Sequence, residues 1–184
     1  MEKRKEVLNY LKVVTFDYPD WIPASIGLMP ATWLKYGRDL ERVVLRHPVL
    51  FPRYNEGDYA KMVLAKDYSR GRYVDVWRVT WENLQDGLVG APVEALAPLR
   101  DWAALEQFAV PDPFKVDRFG DPVDWEQRAG VVRKNNDDGG LAWGGLDHGA
   151  MYMILYYLRG FDNLMMDVAT HDARLDRLIQ IVLA

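Results

Sequence analysis

YVDVWRVTWENLQDGLVGAPVEALAPLRDWAALEQFAVPDP, residues 73–113, is the stretch on which the reading of the fold turns. Residues 72–81 alternate and are rich in β-branched and aromatic side chains, which marks a strand or two. Gly87, Gly90, Pro92 and Pro98 then divide residues 83–98 into turns and edge structure. Asp101 stands at the head of a short helical run to Phe108, and Pro111 and Pro113 end it.

Working toward the N-terminus, residues 48–58 carry Pro48, Pro52 and Gly57 and are expected to be loop. Pro30 suits the start of a helix over 31–46, with Trp33, Leu34, Leu40, Val43 and Val44 as its buried stripe. Residues 22–28, IPASIGL, are a short apolar strand candidate, and residues 18–21 are turn-like. Val7, Leu8, Leu11 and Val14 fall at helical spacing and predict a surface helix over 2–14. Toward the C-terminus, residues 121–136 open with Pro122 and predict a helix resting on Val123, Trp125, Val131 and Val132. The run NNDDGG at 135–140 breaks that helix, and 141–146 is a further strand candidate weakened by Gly144 and Gly145. Helical pieces follow over 150–158, 161–169 and 173–183, with Thr170 as the expected cap of the last and Asp172 near its positive end.

Composition excludes several classes. The chain has 184 residues, 49% hydrophobic and 27% charged, enough for a globular core. A net charge of −4 gives no electrostatic footprint for nucleic acid. The longest apolar stretch, residues 151–158, is far short of the ~20 residues that span a bilayer. No apolar segment with a small-residue cleavage site follows the charged N-terminus, so a cytoplasmic location is expected. There are no cysteines, which rules out disulfides, thiolate nucleophiles and Cys-containing zinc sites within this chain. The three histidines are too scattered to form a metal motif.

Strands alternating with helices predict α/β layering with parallel strand pairing. About three core strands are legible, whereas a closed (β/α)8 barrel has eight strands and ~250 residues. The expectation is a single domain over 1–184 forming a partial (β/α)8 TIM barrel, its N-terminal half only. Such a unit leaves an unpaired parallel edge, which favours a complementary C-terminal half or self-association.

Four segments in order carry a family resemblance. Residues 29–54, MPATWLKYGRDLERVVLRHPVLFPRY, resemble the first helix and loop of the uroporphyrinogen decarboxylase-like superfamily. Residues 74–83, VDVWRVTWEN, resemble its D-x-W-G-x-x-W segment. Pro98-Leu99, Asp101-Trp102 and Pro111-Asp112-Pro113 resemble its PL…W…PDP series, and LRGFDNLMMD at 158–167 resembles its LRGFENLLMD helix. The superfamily holds the haem-pathway decarboxylases and the corrinoid-linked methyltransferases. The decarboxylases carry M-R-Q-A-G-R after the first strand, whose arginines bind substrate carboxylates through guanidinium forks. This chain has Met29-Pro30-Ala31-Thr32-Trp33-Leu34 instead, so the resemblance implies the methyltransferase-like branch. In that branch a His-x-Cys pair and a later Cys bind zinc and activate a thiol acceptor. Those ligands belong to the C-terminal half; the resemblance thus implies no cofactor within this chain, and zinc and a corrinoid protein partner for the complete enzyme. The chain alone is expected to be inactive. The alternatives are a stand-alone non-catalytic binding or assembly half-barrel and a divergent uroporphyrinogen decarboxylase.

The resemblance also points to residues. Asp75 occupies the matched acidic position at a strand end, where it could orient substrate or be satisfied by neighbouring backbone N–H groups. Arg78 stands where the family often has Gly, beside the site or on the surface. Met29, Trp33, Trp77 and Arg78 are the substrate-contact candidates, and Asp75 and His148 the catalytic ones. His148 follows the strand candidate over 141–146, in the loop position Leu146-Asp147-His148-Gly149, where it could act as an acid or base or cap the next helix. Met151, Tyr152, Met153, Tyr156 and Tyr157 could line a corrinoid or substrate cavity or pack in the core. The acidic DDGG at 137–140 reads as a turn rather than a calcium site.

Overall fold

A computed structural model describes residues 3–24, 26–145 and 151–183. Six α-helices are described: α1 (Lys5–Val14), α2 (Pro30–Leu45), α3 (Trp125–Asp137), α4 (Tyr152–Arg159), α5 (Phe161–Thr170) and α6 (Ala173–Leu183). Three short strands lie between α2 and α3: β1 (Gly71–Val74), β2 (Thr80–Asn83) and β3 (Ala91–Pro92). The chain divides into two compact units. One comprises Met1–Gly27, Glu41–Glu56 and Asp124–Gly145, the other Leu28–Leu40, Gly57–Val123 and Leu146–Ala184.

In the first unit a polar side chain does the organising. Asn9, buried on α1, donates to the Trp21 carbonyl (2.8 Å) and accepts from the Asp20 and Trp21 N–H groups (2.7 and 3.3 Å). One amide thereby folds the 16–21 turn back onto the helix, satisfying its own buried polar atoms in the process. Tyr10 packs edge-on to Trp143 at 5.1 Å, and Arg4 donates to the Asp138 carbonyl. Asp124 caps α3 by accepting from the Gln127 N–H, so the helix starts after Pro122 rather than on it.

The second unit holds the larger core, in which Leu99, Leu158, Leu164 and Leu178 expose at most 1% of their surface. Full burial of each such side chain stabilises by ~1.5–3 kcal/mol. Val79, Leu105, Leu155 and Leu175 complete the cluster, with Trp77, Trp81, Trp102, Tyr156 and Tyr157 packed against it. The leucines of α4, α5 and α6 recur at helical spacing, which gives each helix one apolar face.

The expected half-barrel is overturned here. The sheet has the order β1-β2-β3, and both pairings are antiparallel, with Tyr73 opposite Trp81 and Trp81 opposite Pro92. The reason is chain length. Only residues 75–79 join β1 to β2, whereas a parallel pair needs a crossover of a dozen or more residues. The other two strand candidates form no ladder among their described residues, and no parallel pairing occurs among the described residues. Pro23 removes a donor and Gly27 brings no side chain to pack in the first, and Gly144 and Gly145 bring none in the second.

Two helical expectations are also corrected. Gly37 breaks α2 with φ 42 and ψ −118, so no single stripe runs its length: Val44 is buried, but Leu34 and Val43 are exposed. Thr170 does not cap α6; its hydroxyl donates back to Met166 within α5, and Asp172 accepts from the Arg174 N–H instead. Among the described residues no helix is long and apolar enough to cross a membrane.

Candidate functional site

Asp75 sits at the end of β1, in the tight turn to β2. Its Oδ1 accepts from the Val79 N–H (2.9 Å) and its Oδ2 from the Trp81 indole N–H (2.8 Å). The backbone closes the same turn, with Asp75 N–H donating to Val79 O and Arg78 N–H to Asp75 O, both at 3.0 Å. Burial raises the Asp75 carboxyl above the usual range, and the bonds from Trp81 and Val79 oppose the shift. Around it Tyr73 stacks on Trp81 (6.2 Å, 9° between planes) and Tyr157 meets Trp81 edge-on at 4.8 Å. Beyond Tyr73, Arg118 pairs with the largely buried carboxylate of Asp67 at 2.7 Å and lies over Phe119.

A second polar cluster is built where α4 meets α5. Arg159 and Asp167, both buried, form a two-pronged pair: Nε to Oδ2 at 2.7 Å and one terminal nitrogen to Oδ1 at 3.2 Å. The other terminal nitrogen donates to the Leu99 and Arg100 carbonyls. Trp102 lies 3.8 Å below the guanidinium, and its indole N–H donates to Asp167 (3.3 Å). Nearby, Glu94 accepts from the Tyr156 hydroxyl (2.9 Å) and from the first amide of α5 at Phe161 (3.4 Å). Burial, then that bond to a carboxylate, pushes the Tyr156 hydroxyl up to about 12.

Among the sequence candidates, the structure brings together Asp75, Trp77 and Arg78, on one turn. Trp77 is half-buried against the core, whereas Arg78 is exposed in a left-handed conformation, φ 64. Met29 and Trp33 lie elsewhere, at the start of α2, where Met29 is exposed and Trp33 stacks on Tyr59 at 6.3 Å. His148 lies outside the described residues. Tyr156 and Tyr157 belong to the core periphery, and Tyr152 is exposed.

No protein-family model, curated protein or solved structure matches this chain.

Zinc, which the resemblance implies for a complete enzyme, does not fit the residues described. Among them no three His, Cys, Asp or Glu side chains group closely enough to hold an ion. Arg159, Asp167 and Glu94 are the polar residues to which the motifs assign no role. The signal was present for two of them: Arg159 and Asp167 are charges at positions that should face inward on consecutive helices, so each needs a partner.

Proposed function

We propose that this chain is a portion of a uroporphyrinogen decarboxylase-like enzyme, on the corrinoid-linked methyltransferase branch, that needs a second polypeptide portion for activity. The observation carrying the reading is the convergence of three family-like segments. Asp75, Val79 and Trp81 come from the first, Leu99 and Trp102 from the second, and Leu158, Arg159, Leu164 and Asp167 from the third. Segments far apart in the chain thus share one core, and polar residues of the second and third bond to one another. The zinc ligands would lie on the second portion, so no step of metal chemistry is assigned to this chain. Its own contribution is to hold the aromatic turn around Asp75 and present it to that portion.

One observation favours a second reading, a non-catalytic assembly subunit. Asp75 has both oxygens engaged within its turn, and Arg159 and Asp167 hold each other. The test is co-expression with a polypeptide bearing an H-x-C…C pattern. Zinc content and methyl transfer from a methylated corrinoid protein to a thiol are expected from the mixture and absent from the chain alone. Transfer by the chain alone, or a stable complex without zinc or transfer, would sink the proposal.

A further inference from the structure

We propose that the groove between the start of α2 and the 84–88 loop is the surface through which two copies of this chain associate about a two-fold axis. The groove has a volume of about 450 Å³ and is lined by Ala31, Leu34, Lys35 and Tyr36 on one side and Gln85 and Asp86 on the other. Leu34 and Tyr36 expose about half their surface there, and Leu84, beside Gln85, exposes 79%. Covering these side chains would remove apolar surface from water.

The charges say which partner fits. Lys35 forms no ion pair among the described residues; its ammonium rests 5.1 Å from the Tyr36 ring. Asp86 accepts only from the Arg70 backbone N–H (2.6 Å), and no cation among the described residues pairs with it. The two opposite charges therefore stand on facing walls without neutralising each other. A two-fold axis through the groove sets Lys35 against the partner's Asp86 and Asp86 against the partner's Lys35, the self-complementarity that an isologous contact requires. A groove charged with one sign would repel a copy of itself and call for an oppositely charged partner.

The walls are fixed before association. The Ala31 N–H donates to Gly87 O (3.0 Å), and the Gly87 N–H donates to Tyr68 O (2.7 Å). A Cβ at Gly87 would fall 2.3 Å from Ala31 N, so only glycine allows the loop this close to the helix. A prearranged surface loses little entropy on binding. The inference does not depend on the family reading above.

The test is sedimentation velocity of the whole chain from about 1 to about 100 µM, because dimer population follows concentration. Wild type is expected to dimerise within that range. K35E and D86K should each weaken association by ~10-fold or more, since each places like charges face to face. The double swap K35E/D86K should recover it, which an intrachain role for either residue does not predict. L34D should weaken association without rescue. K35E and L34D leave the Asp86–Arg70 bond intact, so they decide the matter if D86K fails to fold. Monomers throughout the range overturn the proposal. So do a dimer that K35E and L34D leave unchanged, singles that weaken while a folded double swap does not recover, and a groove occupied only by a different polypeptide.

Discussion

Asp75 commits both carboxylate oxygens to its own turn, and that fixes what its substitution does. Asp75→Ala strands the N–H of Val79, a residue only 2% exposed, so a loss of ~1–3 kcal/mol is expected by urea denaturation. Burial holds the carboxyl above its ordinary range in the folded state. A group that takes up its proton more readily when folded favours the native state most at low pH, and this contribution disappears as pH rises through the raised value. Stability of wild type minus that of Asp75→Asn should therefore decline with rising pH across that window; a flat difference would show that Asp75 bears no such burden. Its neighbour Arg78 carries φ 64, a conformation that disfavours any side chain with a Cβ. Arg78→Gly is expected to stabilise by ~1 kcal/mol, checked by the same titration. The resemblance had marked position 78 as one where Gly is frequent, and the left-handed turn supplies a physical reason.

Among the elements, the joint between α4 and α5 concentrates the constraints. Gly160 has φ 77 and ψ 152, a region open essentially to glycine alone, so Gly160→Ala should cost ~1–3 kcal/mol in thermal or urea unfolding. Arg159→Ala leaves Asp167 buried and unpaired and should cost ~3–5 kcal/mol, whereas replacing both by apolar residues should cost much less. At the head of α6, the bond from Arg174, then the backbone N–H, lowers Asp172 to about 2. That cap is fully in force above the ordinary carboxyl range and is lost as pH falls through about 2. These helices were legible because Leu155, Leu158, Leu164, Leu175 and Leu178 repeat with the helical period. Strand direction was not. Alternation at 72–81 marks extended chain but is the same for either neighbour, and the deciding fact is the short 75–79 turn. That Asp75 is held by backbone N–H groups of its own turn was one of the two readings its position allowed, whereas the inward-facing charges of Arg159 and Asp167 signalled a need for partners without saying that they would find each other.

At the scale of the whole molecule, polar groups are satisfied while apolar ones are not covered. Among the described residues no buried side-chain nitrogen or oxygen lacks a partner. Yet Phe16, Tyr18, Val49 and Val63 each expose 85% or more of their surface. A polypeptide that binds over such side chains stabilises the folded chain by mass action, so its addition should raise the urea midpoint. In the dilute chain alone, Phe16→Ala and Val63→Ala remove contacts with water only, and each should change stability by no more than ~0.5 kcal/mol in the same titration. A loss of ~2 kcal/mol or more from either substitution would show that the chain itself buries that side chain in solution.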